Sequence, residues 1–300
     1  MSGQNRWYKQ GRALLDEIDR SRPGEGEAHI WFMGQHGFVL SLPGALIYID
    51  VILNPLPGRD GRDLRSYPPP YGPGEVTSAD YVFCTHPHSD HLNLKTLLPL
   101  AEACREARFV VPRPSRPTLT GAGIAENRVI SAVQGEELSL GALKIIPVAA
   151  IHTCFIQDES EKDENGCCTS LGFVIKGGGL SIYHPGDTWI TPGLAADLKK
   201  LGPLDIAFLP INGTDWERTA DNCIGNMNAL DAVKLAMAVP IDLVIPSHYD
   251  MMPGNSENPA LFAGYMYRHC PQKRFHICAL GEGFIYRKST PRLKCGSNLA

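Results

Sequence analysis

The sequence predicts an α/β fold in which short strands alternate with helices. Two stretches of the chain each begin with several short apolar runs and continue with strands and helices in alternation. The 300 residues, 43% of them hydrophobic and 20% charged, are enough for a large buried core. Length alone suggests about two domains. No linker divides the two stretches, so we expect a single domain that spans residues 1–300.

The first stretch begins with a helix. Apolar residues at helical spacing, among them Leu14 and Ile18, predict an amphipathic helix over residues 6–20, within an N-terminal segment at residues 1–25. This helix packs either on its own chain or on a second copy in a homo-oligomer, and the pattern allows both. Three apolar runs separated by glycine and proline then predict strands at residues 29–33, 38–42 and 46–52.

Residues 54–79 form a segment rich in proline and glycine. It is longer than a simple connection, and long ordered loops commonly carry function. We expect this segment to form a rim over the active site. The alternative is a surface excursion without a direct role.

Strands and helices alternate through the rest of the chain. Thr191 followed by Pro192 is typical of a helix start, with Thr as the cap. Three glycines at residues 177–179 predict a hairpin turn, because a strand and not a helix follows them. Further strands are predicted at residues 80–85, 108–111, 128–131, 143–151, 171–176, 180–184, 205–210, 242–246, 274–279 and 283–287. Further helices are predicted at residues 94–107, 191–201, 228–239 and 259–269.

Charge and cysteine usage narrow the class of protein. The net charge of −4, with no run of more than two basic residues, argues against nucleic acid as a partner. No apolar stretch approaches the roughly 18 residues of a membrane span, and no signal-peptide core is evident, so we expect no membrane partner and a cytoplasmic location. Nine cysteines without a C-x-x-C pair indicate reduced thiols.

The most informative motif is H-x-H-x-D-H at residues 86–91, between a predicted strand and a predicted helix. Such a turn can point His86 and His88 to one side and Asp90 and His91 to the other. That arrangement suits two metal ions, which bind neutral imidazole nitrogens and carboxylate oxygens. Four side chains are too few for two ions. Candidates for the rest follow other predicted strands: His152, Asp187 and His248.

In this order the motifs resemble those of the metallo-β-lactamase-fold hydrolases, across residues 50–248. The resemblance implies a four-layer αβ/βα sandwich of two mixed sheets with helices outside. It also implies a role for each motif residue. His86, His88 and His152 resemble the ligands of a first metal position. Asp90, His91 and His248 resemble those of a second position. Asp187 would bridge both ions, and Asp50 would brace the ligand loop from behind.

Within these hydrolases the chain is most similar to L-ascorbate-6-phosphate lactonase and its relatives. The segments that carry this similarity are residues 31–40, 183–188, 225–232 and 244–250. Many of those relatives have His where this chain has Gln35, and we assign no metal role to the adjacent His36. The loop at residues 154–169 also departs from the lactonase pattern, which leaves the identity of the lactone open.

The resemblance implies a metal-dependent hydrolase with two divalent ions, Zn or Mn, with Fe as a further option. A hydroxide bridging the ions would attack the substrate, with Asp90 and Asp187 as the catalytic carboxylates and Asp187 as a proton relay. The favoured substrate is a small anionic molecule, a lactone of a phosphorylated or acidic sugar. The alternatives are a small-molecule phosphodiesterase and a regulatory protein that has lost turnover. Candidate substrate contacts, each with packing or solvent exposure as its alternative, are His184, Arg218 and Tyr249.

Overall fold

The computed structural model describes residues 6–58, 60–154, 159–221 and 223–289. Within these residues, fourteen strands form two seven-stranded sheets, with helices on their outer faces. Parts of four sequence predictions lie outside the described residues: residues 1–5 of the N-terminal segment, Arg59 of the rim segment, residues 155–158 of the loop at 154–169, and the thiol of Cys295.

The strands and helices have the following bounds. The strands are β1 (Glu27–Phe32), β2 (Phe38–Leu42), β3 (Ala45–Ile49), β4 (Tyr81–Phe83), β5 (Arg108–Pro112), β6 (Val129–Ala132), β7 (Leu138–Leu140), β8 (Leu143–Ala149), β9 (Leu171–Gly177), β10 (Leu180–His184), β11 (Leu204–Pro210), β12 (Ile241–Ser247), β13 (Arg274–Phe275) and β14 (Gly283–Arg287). The helices are α1 (Gly11–Asp19), α2 (Leu94–Ala103), α3 (Arg116–Gly121), α4 (Pro192–Lys200), α5 (Trp216–Ala220), α6 (Ala229–Ala238) and α7 (Pro259–His269).

Both sheets are mixed, and each has an antiparallel and a parallel part. The first sheet has the order β14-β1-β2-β3-β4-β5-β6, antiparallel up to β3 and parallel from β3 onward. The second has the order β13-β12-β11-β10-β9-β8-β7, antiparallel from β7 to β10 and parallel from β10 to β13. The expected sandwich of two mixed sheets is therefore confirmed. In each sheet short turns join successive antiparallel strands, such as β1 and β2 or β9 and β10, and longer crossovers join the parallel strands. This explains why the sequence twice shows short apolar runs followed by alternating strands and helices.

Side chains of the first sheet are buried on both faces, because each face packs against a different layer. Ile30, Leu40 and Ile47 belong to the core shared with the second sheet. Their neighbours Trp31 and Tyr48 point the opposite way, into the core under α1 and α2. Burying one such side chain contributes about 1.5–3 kcal/mol, so the two cores hold the layers together.

The N-terminal helix is shorter than predicted and packs on its own chain. It begins at Gly11 and not at residue 6. The backbone of Gly11 has a left-handed φ of +60°, so the right-handed helix cannot continue toward the N-terminus. Leu14, Leu15 and Ile18 are buried against the first sheet. Trp7 precedes the helix, and its ring meets the edge of the Tyr67 ring at 5.6 Å.

Other differences from the predicted elements have local causes. Strand β3 ends at Ile49 because Asp50 adopts a left-handed backbone with φ of 49°. The strand predicted at residues 274–279 pairs only over β13, at the edge of the second sheet. Three short elements were not predicted, because three to six residues are too few for a clear period: β7, α3 and α5.

The predicted helix start and hairpin turn are confirmed. The Thr191 hydroxyl accepts a hydrogen bond from the Leu194 N–H, and Pro192 is the first residue of α4. Gly178 and Gly179, with φ of 55° and 70°, turn β9 into β10. Among the described residues, no helix is long and apolar enough to cross a membrane.

The rim segment at residues 54–79 packs against the body of the chain. Arg65 and Tyr67 are buried, and the Ser66 N–H donates to the Met251 carbonyl at 2.7 Å. The Gly11 N–H donates a hydrogen bond to the Pro70 carbonyl at 2.8 Å. The segment therefore joins the N-terminal helix to the loop that follows His248.

Candidate metal centre

The predicted ligands lie at one edge of the two sheets, where strands end. Asp50 follows β3 and the motif at residues 86–91 follows β4. His152 follows β8, Asp187 follows β10, and His248 directly follows β12. Because these strands present their carboxyl ends to the same edge, residues distant in sequence meet there, as ligand sites commonly do in open α/β sheets.

Three imidazoles form the first group of donors. His88 Nδ1 lies 3.0 Å from His86 Nε2 and 3.1 Å from His152 Nε2. Burial lowers the pKa of His86 well below its usual value and that of His152 to about 4. Neutral imidazoles present lone pairs, and these three converge on one point, which is the arrangement a divalent cation requires.

Two carboxylates and two imidazoles form the second group. His91 Nε2 lies 3.5 Å from Asp90 Oδ2 and 3.3 Å from Asp187 Oδ1. His248 Nε2 lies 3.6 Å from Asp90 Oδ2 and 3.2 Å from Asp187 Oδ2. Asp187 Oδ2 is also 3.8 Å from His152 Nε2, so Asp187 lies between the two groups.

The carboxylates and imidazoles of this second group shift one another's pKa values. Burial disfavours the charged form of His91 and of His248, but Asp187 and Asp90 outweigh it and raise both pKa values, that of His248 to about 9. Despite their own burial, Asp90 and Asp187 keep pKa values well below the usual range because of these histidines. Among the described residues, His91 Nε2 and Asp187 Oδ1 are buried without a hydrogen-bond partner. A divalent ion would satisfy both atoms, so the residues present fit a metal.

Asp50 holds His91 and the ligand turn from behind. Its carboxylate accepts hydrogen bonds from the Thr85 N–H at 2.8 Å, the Thr85 hydroxyl at 2.6 Å and His91 Nδ1 at 2.8 Å. With Nδ1 occupied in this way, the other ring nitrogen of His91 faces the carboxylates of the centre.

Two adjacent residues, Gln35 and His36, have roles that the sequence reasoning missed. The Gln35 side chain is fully buried, and its Nε2 donates to Asp90 Oδ2 at 2.9 Å. The His36 ring bonds the Ser247 hydroxyl at 2.8 Å and the Gly186 carbonyl at 3.0 Å, so it braces the residues before His248 and Asp187 without reaching the donors. The available signal was a pair of polar residues in the otherwise apolar segment at residues 31–40.

His184 and Tyr249, two of the candidate substrate contacts, are buried in the core, as in the packing alternative given for both. His184 donates to the His36 carbonyl at 2.9 Å and is fully buried. Tyr249 packs on Phe32, and its hydroxyl donates to the Cys278 carbonyl at 3.4 Å. Both side chains are satisfied by packing, so neither is placed to touch a substrate.

Arg218, the third candidate, lies in the short helix α5 between β11 and α6. Its Nε donates to Asp215 at 2.7 Å, and its Nη1 donates to the Asn212 carbonyl at 3.0 Å and to Asn255 Oδ1 at 2.8 Å. These contacts hold the guanidinium at the end of β11, which lies between the strands that precede Asp187 and His248.

A further group of donors, His276, Cys278 and Glu282, lies between β13 and β14. His276 Nε2 bonds Glu282 Oε1 at 2.8 Å, and Glu282 Oε2 accepts from the Ala279 N–H at 2.7 Å. Because these polar atoms are satisfied within the loop, we assign no metal to this group.

The chain is similar in sequence and in fold to known metal-dependent hydrolases. Residues 50–249 match the sequence family described as beta-lactamase superfamily domain. A UPF0173 metal-dependent hydrolase from Thermofilum pendens is 30% identical over 220 residues, which cover 69% of this chain and 83% of the relative. Another from Methanopyrus kandleri is 29% identical over 246 residues, covering 78% and 89%. The structure of Igni18, a metallo hydrolase from Ignicoccus hospitalis, has a TM-score of 0.66 at 19% identity and covers 88% of this chain and 100% of that one. This structural likeness shows the fold.

Proposed function

The chain belongs to the beta-lactamase superfamily and is a metal-dependent hydrolase, and we propose that it opens a lactone of a phosphorylated or acidic sugar at a centre of two divalent ions. One observation carries the proposal: two groups of histidine and aspartate donors lie on either side of Asp187 at a single edge of the sheets. Such a centre serves hydrolysis without a nucleophilic Ser or Cys.

His86, His88 and His152 would hold one ion, and Asp90, His91 and His248 the other, with Asp187 in contact with both. Bound there, the ions supply Lewis acidity and make water a nucleophile near neutral pH. Asp187 is the proton carrier in this proposal. It accepts the proton that the attacking water loses and returns it to the ring oxygen as the carbon–oxygen bond of the lactone breaks, giving the hydroxy acid.

Arg218 is the cation that we propose for the anionic group of the substrate. Its helix α5 follows β11, and the strands on either side of β11 are the ones that precede Asp187 and His248. A guanidinium fixed by its neighbours is well suited to a phosphate or carboxylate.

We expect Arg218→Ala to raise KM for phosphorylated lactones about tenfold while changing KM for neutral lactones little, because only the former lose a charge-assisted contact. Steady-state kinetics on matched substrate pairs measure this. The control is Arg116→Ala, which removes another arginine bonded to backbone carbonyls, those of Val129 and Glu126. An equal rise in KM for neutral and charged lactones would contradict a role in anion binding.

The proposed function itself is tested by metal analysis and a substrate panel. The purified protein, reconstituted with Mn²⁺ or Zn²⁺, is assayed on sugar lactones and on small phosphodiesters. We expect two ions per chain and hydrolysis of lactones. Fewer than one ion per chain would refute the two-metal centre. Hydrolysis of diesters without lactones would replace the substrate assignment by the phosphodiesterase alternative, and a full complement of metal with no turnover on either class would favour a regulatory role.

A further inference from the structure

Gln35 reaches the second group of donors from the turn between β1 and β2. Its backbone is held in a left-handed conformation with φ of 56°. Its N–H donates to Asp250 Oδ1 at 2.9 Å, and its carbonyl accepts from the His248 N–H at 2.5 Å. These contacts fix the start of the side chain, which is fully buried.

The end of the side chain occupies a position that a metal ligand would take. Gln35 Nε2 lies 2.9 Å from Asp90 Oδ2 and 3.2 Å from His248 Nε2, and those two atoms are 3.6 Å apart. The three atoms form a compact triangle. A point equidistant from its corners lies about 2 Å from each of them, which is the usual length of a metal bond to nitrogen or oxygen.

The amide has an oxygen available for this position. Gln35 Oε1 is buried and has no hydrogen-bond partner among the described residues. Because the two ends of an amide have nearly the same shape, a half-turn of the side-chain amide exchanges Nε2 for Oε1. In the metal-free protein the NH₂ group faces the carboxylate of Asp90; with a cation present, the oxygen is the favourable end.

We propose that Gln35 is an additional ligand of the second metal position, through its side-chain oxygen; this rests on the proposed two-metal centre. An amide oxygen is a hard donor and suits Mn²⁺ better than it suits Zn²⁺, whereas imidazole suits Zn²⁺. Gln35 therefore makes the second position more selective for Mn²⁺ than a histidine there would.

The test is calorimetric titration of the metal-free protein with Mn²⁺ and, separately, with Zn²⁺. Gln35→Met keeps the length of the side chain and removes the oxygen, whereas Gln35→Glu keeps an oxygen at the same place. The same substitutions in a His88→Ala background report on the second position alone, since His88 belongs to the first. Gln134→Met is the matched control, because the Gln134 amide donates to the Gly166 carbonyl away from the centre.

We expect Gln35→Met to weaken Mn²⁺ binding at the second position about 10- to 100-fold, with a smaller loss for Zn²⁺ and no change at the first position. Gln35→Glu should bind Mn²⁺ at least as tightly as the unsubstituted protein. An unchanged or tighter second position in Gln35→Met would overturn the proposal. So would an affinity loss in Gln35→Glu, which decides the matter even if Gln35→Met does not fold. Absence of metal binding in the unsubstituted protein would instead refute the two-metal centre.

Discussion

The two donor groups of the candidate centre differ in their charge and in their exposure. The first consists of three imidazoles, one of them on the exposed His88, and burial lowers the pKa values of the other two. The second contains the carboxylates of Asp90 and Asp187, which raise the pKa values of both its histidines. The first group thus offers imidazole nitrogens alone, and the second offers imidazole nitrogens and carboxylate oxygens together. We therefore expect them to differ in affinity and in metal preference.

Replacing Asp187 should have the largest effect, since it is the residue that the two positions share. We expect Asp187→Asn to lower kcat/KM about 10³-fold, because it removes a charge between the ions and the proposed proton carrier. Steady-state kinetics and metal analysis measure the two losses. Asp205→Asn is the control, since this buried carboxylate accepts from the Ser181 N–H at 2.8 Å far from the centre. Near-normal turnover in Asp187→Asn would remove Asp187 from the mechanism.

His88→Ala separates the two positions from each other. The substitution leaves two donors in the first group and leaves the second group intact, so we expect one ion per chain and activity lower by about 10²-fold. Metal analysis after reconstitution measures the occupancy. His29→Ala, which alters a histidine bonded to Ser21 outside the centre, should retain both ions. Loss of both ions from His88→Ala would show that the positions do not fill independently.

Asp50→Asn probes the support of the second position. The amide cannot accept from Thr85 and His91 as the carboxylate does, so we expect metal affinity there to fall about 10- to 100-fold. Titration of the metal-free variant measures it. Asp80→Asn is a matched control, because Asp80 accepts from the Leu46 N–H at 2.7 Å on the same sheet. Equal losses in the two variants would mean that the effect comes from the sheet and not from the ligand.

The smallest expected effect is on stability: metal binding should raise the free energy of unfolding. Each ion present at a free concentration 100 times its Kd adds about 2.7 kcal/mol to the free energy of unfolding. Denaturant titration of the metal-free and the metal-loaded protein measures the difference, and His88→Ala should show about half of it. Identical unfolding midpoints with and without metal would contradict a preformed site.

Much of the fold follows from local patterns. Apolar runs and capping residues predicted thirteen of the strands, although with approximate bounds, and helices such as α4, whose Thr191 cap is a contact over three residues. The order of the histidine and aspartate motifs indicated which strand ends would meet. Periods and caps act over a few residues, so the sequence displays them directly.

Contacts between distant segments were decided only by the tertiary structure. Gln35 contacts Asp90 and His248, which are 55 and 213 positions away in the sequence. The polar pair at residues 35 and 36 stands out in an apolar segment, but the local sequence does not say which residues it contacts. His184 lies three residues before Asp187, and Tyr249 directly follows His248. Both side chains are nevertheless buried in the core. The sequence by itself indicated the strands, the helices and the histidine and aspartate motifs, and the family resemblance carried by those motifs implied the two mixed sheets. The packing of the two halves against each other decided which further side chains reach the centre, because it depends on every buried residue at once.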